Sequence, residues 1–297
     1  MLKTKIGEFE ALGTLIHIEL PEAFFTEVFE ILKEEALRIE QKFSRFIDSS
    51  DLSVLNQNLN QWSPVDEEFL FLLNQASSLT KQTHGLLDFG VTNLLNHWGY
   101  DKYYGLKASA DFRKFESLTL ETKPGLVRIN VPVDFGCFGK GYFLDQCLNI
   151  LKSFKVDQYL VNAGGDLLVS TADKYEPFKI FLEDPRLNTR VIGEIENYNG
   201  FICASSPSRR KWGDFHHLID IEPQLPAQEM SAVYVQKNIS GLVADALCTA
   251  LFVMGFKKAQ LEWAKLNLIN PDLEIMLISA EGKVWRSPHF KANLYTI

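Results

Sequence analysis

Apolar and polar residues alternate over residues 9–20, a pattern that is typical of a half-buried β-strand. Pro21 then suits the start of a helix, because its fixed backbone angle fits the first helical turn. Apolar side chains follow at helical spacing: Phe25, Val28, Leu32, Ile39 and Phe43. The chain is therefore expected to begin with a strand and a long packing helix.

Two further helices are predicted in the first third of the chain. The polar residues 49–51 can cap a short helix that begins near Leu52, and a longer helix is predicted over residues 66–83. Residues 85–101 contain too many aromatic and turn-forming residues for a plain helix or strand.

In the second half of the chain, the sequence pattern predicts two helices among several strands. Residues 136–141 form a glycine-containing loop before a helix whose apolar face holds Phe143, Leu144, Cys147, Leu148 and Leu151. A second amphipathic helix is predicted over residues 240–255, with Gly255 as its stop signal. In residues 201–223 we expect two strands joined by a basic turn. Other strands or hairpins are predicted over residues 126–135, 158–170, 178–184, 190–196 and 272–288.

The composition fits a folded protein and excludes several classes. Of 297 residues, 46% are hydrophobic and 23% are charged, which provides a core and rules out a disordered chain. The formal net charge is −8 and no block of five Lys or Arg occurs, so no nucleic-acid partner is expected. The sequence contains no internal repeat and no linker. Its length fits one large domain or two intertwined subdomains.

Cysteine spacing and the N-terminal stretch set expectations about location. Glu8 and Glu10 interrupt the stretch where a signal peptide would be apolar, and no cysteine before Cys137 could accept a lipid. The longest apolar run, residues 242–255, is too short for a membrane span and contains Asp245. We therefore expect a cytoplasmic protein without membrane insertion. No C-x-x-C pair and no disulfide framework is expected among the cysteines, Cys137, Cys147, Cys203 and Cys248.

Two glycine-containing stretches could approach a ligand. In residues 136–141, Lys140 and the following helix N-terminus favour an anion, although such loops are often plain turns. The phosphate loop G-x-x-x-x-G-K-[ST] does not fit, because Gly141 follows Lys140. Residues 162–166, N-A-G-G-D, are equally explained by a tight hairpin turn.

Two other stretches offer ligands for phosphate and metal. Residues 205–211 combine three hydroxyls and three cations that can grip a phosphate, or they form a solvated hairpin tip. His217 is a candidate general base or a structural hydrogen-bond partner. Asp245 and Thr249 lie one turn apart on one helix face, where they can offer two oxygens to a hard cation or form buried hydrogen bonds.

Taken in order, these stretches resemble the ApbE family of flavin transferases, which move FMN from FAD onto a protein Thr or Ser. The number of similar motifs and their shared order carry the resemblance. Sequences similar to the family's motifs lie at residues 12–14, 43–46, 50–56, 85–88, 98–100, 134–141, 162–166 and 244–255.

The resemblance implies roles for individual residues. Asp245 and Thr249 would bind Mg²⁺ together with the backbone carbonyl of Cys137, which makes Asp245 a catalytic residue as well. His217, the second catalytic residue, would take the proton of the attacking hydroxyl. Five side chains would lie along FAD: Asn56, Asp88, Lys140, Ser205 and Ser206.

The resemblance also implies a fold of the α+β class. We expect one ApbE-like domain over residues 1–297, related to the T-fold and built from two interlocked α/β subdomains with mixed or antiparallel sheets. The flavin would lie in the cleft between the two halves, and Phe89 or Trp98 would stack on one of its rings.

The expected activity is Mg²⁺-dependent transfer of FMN from FAD to a Thr or Ser hydroxyl of an acceptor protein, with release of AMP. Two departures from the family pattern keep alternatives open: residues 221–226 lack the usual Thr-Gly pair, and Pro207 removes a backbone donor after Ser206. One alternative is hydrolysis of FAD to FMN and AMP. The other is a protein that binds flavin without turnover. The identity of the acceptor and the oligomeric state are left open.

Overall fold

Helices and antiparallel sheets alternate along the chain in a computed structural model that describes residues 3–103, 105–108 and 114–295. The described helices are α1 (Glu22–Phe43), α2 (Asp51–Gln57), α3 (Glu67–Gln82), α4 (Thr92–His97), α5 (Gly139–Ser153), α6 (Gly241–Met254) and α7 (Phe256–Ile269). The described strands are β1 (Thr4–Ala11), β2 (Thr14–Pro21), β3 (Ser63–Pro64), β4 (Leu120–Lys123), β5 (Leu126–Ile129), β6 (Gln158–Ala163), β7 (Asp166–Thr171), β8 (Ile180–Asp184), β9 (Leu187–Ile195), β10 (Gly200–Ser205), β11 (Lys211–Trp212), β12 (Phe215–His216), β13 (Ile219–Asp220), β14 (Leu225–Pro226), β15 (Met230–Lys237), β16 (Glu274–Ser279), β17 (Val284–Arg286) and β18 (Asn293–Leu294).

The helices begin where polar residues satisfy their free backbone N–H groups. Ser50 caps α2 by accepting from the backbone N–H of Ser53 at 3.0 Å, and Asp66 caps α3 in the same way. Helix α6 begins after Ser240 and ends at Gly255, which has a φ of 81° that favours glycine. The predicted positions of α1, α2, α3, α5 and α6 are thereby confirmed.

One sheet of eight strands, in the order β1-β2-β6-β7-β10-β15-β16-β17, joins strands from both ends of the chain. Its two faces pack against different layers. Along β15, Val233 and Val235 face the helices of the main core, whereas Ala232 and Tyr234 face a second core beneath the small sheet β18-β9-β8. This alternation is the two-residue period of a strand that is buried on both faces.

The predicted α+β fold class is confirmed, and each strand pairing in the described residues is antiparallel. A single domain over residues 1–297 stays a prediction, supported by the sheet that both ends of the chain share. No helix in the described ranges has the length and apolar character needed to cross a membrane.

Three elements differ from the sequence pattern. Residues 9–20 contain a turn at Gly13, so the alternation belongs to the hairpin of β1 and β2. Of the two strands predicted in residues 201–223, the first is confirmed as β10, but it pairs with β7 and β15, and in place of one second strand the basic residues lead into the short hairpins β11-β12 and β13-β14. Helix α7 was not predicted, because few of its side chains are buried and Leu261 and Leu268 face solvent.

Candidate functional site

A cavity of about 960 Å³ opens between the end of the main sheet and the N-termini of two helices. Its size lies at the upper end of the range for small-molecule sites. Segments between Glu8 and Val253 form its wall, including the β6–β7 turn and the start of α5. Of the predicted site residues, eight line it: Asp88, Cys137, Lys140, Ser205, Ser206, His217, Asp245 and Thr249.

Helices α5 and α6 touch through their backbones at the cavity. A Cβ atom on Gly141 would lie 2.1 Å from the carbonyl oxygen of Gly241, and one on Gly241 would lie 2.6 Å from the carbonyl oxygen of Gly141. Only glycine fits at either position. This approach lets Oδ2 of Asp245 accept a hydrogen bond from the backbone N–H of Gly141 at 2.9 Å.

A buried charged centre lies next to this helix contact and joins α5, α6 and β7. The ammonium group of Lys140 pairs with Asp166 and lies 3.6 Å from Oδ1 of Asp245. Burial alone would lower the pKa of Lys140, but the charges of Asp166 and Asp245 raise it. Burial and the charge of Asp166 raise the pKa of Asp245 to about 7, against the opposing effect of Lys140.

The donor set at this centre fits a divalent cation with oxygen ligands. Two buried carboxylates, from Asp166 and Asp245, share the single ammonium group of Lys140, and this arrangement favours an added cation over an added anion. Thr249 lies one turn after Asp245 and Cys137 is half-buried, and both line the cavity. Within the described residues no three His, Cys, Asp or Glu side chains gather as a metal site, so other ligands must be hydroxyl, carbonyl or substrate oxygens.

His217 lines the same cavity as Lys140 and Asp245. Burial lowers its pKa well below the usual value, and the positive charges of Arg210, His216 and Lys140 lower it further. The imidazole is therefore neutral near pH 7 and able to accept a proton. Its Nδ1 atom is buried without a hydrogen-bond partner in the described part of the chain.

The neighbouring His216 has a structural role. Its Nε2 atom lies 2.9 Å from the carbonyl oxygen of Ala227, and its Nδ1 atom accepts from the backbone N–H of Leu218. With both ring nitrogens occupied, His216 cannot act as a base on a ligand.

The basic turn contributes one arginine to the cavity interior. Arg209 forms an ion pair with Glu183 at 2.6 Å, at the exposed rim. Arg210 lines the cavity, whereas Lys211 lies outside its lining. Ser206 donates its hydroxyl to the carbonyl oxygen of Ser231 at 2.9 Å, so this hydroxyl already stabilises the turn.

Two of the side chains predicted to lie along FAD are held by the backbone. Asn56 lies outside the cavity lining, and its amide group bonds both the N–H and the carbonyl of Val133 at 2.8 Å. This pairing places the segment that leads into Asp134. Asp88 lines the cavity, but its carboxylate accepts from the backbone N–H of Gly90 at 2.7 Å.

Neither of the two rings predicted to stack on the flavin faces the cavity. Phe89 is 1% exposed and packs on Phe135 and Phe138. Trp98 stacks on Phe215 with ring centroids 4.7 Å apart, and neither Phe89 nor Trp98 lines the cavity.

The sequence reasoning missed two parts of the site. Asp166 belongs to the N-A-G-G-D stretch but is not among the predicted site residues, although it pairs with Lys140 and accepts from the backbone N–H of Ala204 at 3.0 Å. The buried ion pair of Arg45 and Asp134, 2.5 Å apart, lines the cavity as well. The sequence signal that could have identified these residues is a charged residue inside an otherwise apolar motif.

The fold and the site together define a class of protein. An α+β structure with a deep cavity, a buried charged centre and an open helix N-terminus is expected of an enzyme that handles a phosphorylated ligand. The chain belongs to the ApbE family, whose sequence model matches residues 12–276.

Relatives of known name agree with this assignment. The FAD:protein FMN transferase of Haemophilus influenzae is 28% identical over 286 residues, which cover 87% of this chain and 82% of that protein. The FAD:protein FMN transferase of Escherichia coli K12 is 25% identical over 282 residues, covering 86% of this chain and 78% of that protein.

Solved structures share the fold. The ApbE protein from Thermotoga maritima matches with a TM-score of 0.85 and 27% identity, covering 96% of this chain and 97% of that one. The flavin transferase ApbE from Vibrio cholerae matches with a TM-score of 0.80 and 23% identity, covering 97% and 98%.

Proposed function

We propose that this protein is an Mg²⁺-dependent FAD:protein FMN transferase. It moves FMN from FAD onto a Thr or Ser hydroxyl of an acceptor protein and releases AMP. The observation that carries the proposal is the buried centre in which Lys140 and Asp245 line a cavity of about 960 Å³ and Asp166 pairs with Lys140 from behind the lining. The names of the relatives supply the reaction class.

The pyrophosphate of FAD binds where positive charge is available in the cavity. The Lys140 ammonium and the N-terminus of α5 face this region, and Arg210 adds a second cation to the cavity lining. Asp166 holds Lys140 in place through their ion pair. Asp88, Ser205 and Ser206 line the same cavity. Asn56 acts from outside it by holding Val133.

The residues that would hold Mg²⁺ are Asp245, Thr249 and the backbone carbonyl of Cys137. When bound, the ion supplies positive charge that offsets the negative charge developing on the phosphate oxygens. Asp245 is suited to this role because Gly141 fixes one of its oxygens, which leaves the other oxygen beside Lys140.

His217 is the base of the proposed reaction. The acceptor hydroxyl oxygen forms a bond to the FMN-side phosphorus as its proton passes to the neutral imidazole. The bond from that phosphorus to the bridging oxygen breaks, and the bridging oxygen leaves with AMP. The lowered pKa of His217 keeps it ready to accept the proton at neutral pH.

The proposal is tested with FAD, Mg²⁺ and a synthetic pool of Thr- and Ser-containing peptides. The matched control pool carries Val and Ala in place of Thr and Ser. We expect AMP release together with a peptide mass gain of one FMN less one water, in the first pool alone. AMP release that is equal in both pools would overturn transfer in favour of hydrolysis, and tight FAD binding without AMP would overturn turnover altogether.

The role of His217 is tested in the same assay. His217→Asn removes the proton acceptor and should lower the rate of transfer about 100-fold or more. Bound FAD, measured by equilibrium titration, should change little. An unchanged rate in this variant would exclude His217 as the base.

A further inference from the structure

Helices α5 and α6 carry the same short pattern at their N-termini. Gly141 is followed four residues later by Asp145, and Gly241 is followed four residues later by Asp245. In a helix this spacing places both residues of a pair on one face, one turn apart. The two glycines are the pair whose backbones touch.

The two aspartates bond reciprocally across this contact. Asp245 of α6 accepts from the backbone N–H of Gly141 at 2.9 Å. Asp145 of α5 accepts from the backbone N–H groups of Gly241 at 2.7 Å and Leu242 at 3.0 Å. Each helix therefore supplies the carboxylate that satisfies free backbone donors in the first turn of the other.

The two carboxylates differ in what else they contact. Asp245 lines the cavity beside Lys140, whereas Asp145 lies outside the lining. Asp145 also accepts from the hydroxyl of Ser240 at 3.2 Å, so three donors of one helix start converge on it. Its position gives it no contact with a ligand in the cavity.

We propose that Asp145 is a positioning residue that fixes the start of α6 and thereby aims the carboxylate of Asp245. The inference deepens the proposed function, because it concerns how the catalytic Asp245 is held. Without the Asp145 carboxylate, the N–H groups of Gly241 and Leu242 lose their acceptor. The first turn of α6 then loosens, and Asp245, in the next turn, loses its fixed distance to Gly141.

The first experiment follows hydrogen exchange at the Gly141 amide and needs neither FAD nor Mg²⁺. Asp145→Asn cannot accept from both backbone donors and should speed this exchange about tenfold. Asp245→Asn, which weakens the bond directly, should do the same. The double variant should exchange no faster than Asp245→Asn alone, because both changes act on one hydrogen bond.

A matched control separates positioning from general destabilisation. Asp66→Asn alters a carboxylate that caps α3 by accepting from Phe69 at 2.9 Å and pairs with Lys42, and in the described residues it forms no hydrogen bond to α5 or α6. It should lower the melting temperature without changing exchange at Gly141. Unchanged Gly141 exchange in Asp145→Asn, or additive effects in the double variant, would overturn the proposal.

The second readout is the Mg²⁺ concentration for half-maximal AMP release. Asp145→Asn should raise it about tenfold, as expected when a residue that orients a metal ligand is removed. Asp66→Asn should leave it unchanged. If the wild type releases no AMP, the proposed function fails, and the exchange experiment still decides the role of Asp145.

Discussion

The two walls of the cavity are held together by different kinds of contact. The helix wall, formed by the N-termini of α5 and α6, is fixed by backbone atoms that touch at Gly141 and Gly241. The hairpin wall, residues 206–227, is fixed by aromatic side chains. Trp98 donates from Nε1 to the carbonyl oxygen of Gln224 at 2.9 Å and stacks on Phe215.

Because of this difference, we expect the helix wall, which holds the charged centre, to tolerate fewer substitutions than the hairpin wall. Backbone contact leaves no space for another side chain, so the charged centre has a fixed geometry. Side-chain contacts accept substitutions more readily, and two departures from the family pattern, Pro207 and residues 221–226, lie in the hairpin wall. We infer that substitutions at the helix contact are tolerated less well than substitutions in the hairpin wall.

The largest effect is expected from loss of the Asp245 charge. Asp245→Asn should lower Mg²⁺-dependent AMP release at least about 1,000-fold, because the site loses its anionic ligand. Asp157→Asn is a charge-matched control, since Asp157 pairs with Lys174 at an exposed position. Rates that fall equally in both variants would contradict the metal role of Asp245.

A methyl group at the helix contact tests the rigidity of the helix wall. Gly141→Ala should lower the free energy of unfolding by about 1–3 kcal/mol, because its Cβ would lie 2.1 Å from a backbone oxygen. Gly139→Ala is the matched control on the same helix, where nothing lies within 4 Å of the added Cβ. Urea unfolding that gives the same change for both variants would refute the close contact.

The outer face of α5 is anchored by a carboxylate, which gives a pH-dependent test. Burial alone would raise the pKa of Glu68, but hydrogen bonds from Arg38, Lys42 and Tyr142 lower it from 4.5 to about 2. A lowered pKa stabilises the fold above the unfolded value, and this stabilisation is lost as the pH falls through about 2.

Glu68→Gln should therefore reduce the free energy of unfolding by about 1–2 kcal/mol at neutral pH, after allowance for partial exposure. The difference from the wild type should shrink as the pH falls from 4.5 towards 2. Glu121→Gln, which alters an exposed pair with Arg128, should have little effect at any pH. A Glu68 effect that is constant with pH would show that its charge does not anchor α5.

The smallest effect is expected in the hairpin wall. Trp98→Phe keeps an aromatic ring but removes the hydrogen bond to Gln224, which should cost about 1 kcal/mol of unfolding free energy. Trp62→Phe is the control, because its ring contacts Lys123 and Arg128 through its face. A Trp98→Phe cost above that of Gly141→Ala would reverse the ranking of the two walls.

Much of the fold was readable from local sequence signals. Caps such as Ser50 and Ser240, and the stop at Gly255, mark helix ends because they act within a few residues. The partners of β10 could not be read in this way. Its pairing with β7 and β15 joins distant segments, and the hydrophobic pattern does not specify which buried strands lie side by side.

The same limit applies to the site. Lys140, Asp245 and Thr249 were identified from their motifs, and the structure brings them to one cavity. The partnership of Asp166 with Lys140 could not be identified, because it depends on how a hairpin turn meets a helix 26 residues away. Asn56 is the opposite case. Its motif predicts a side chain that lies along FAD, but its amide group bonds to the Val133 backbone instead.

The most direct test of the central claim measures AMP and peptide-bound flavin together in one reaction with FAD and Mg²⁺. The wild type should form both products in equal amounts on the Thr- and Ser-containing pool, and Asp245→Asn or removal of Mg²⁺ with EDTA should stop both. AMP without peptide-bound flavin, or transfer that persists in Asp245→Asn, would contradict the claim that this charged centre transfers FMN.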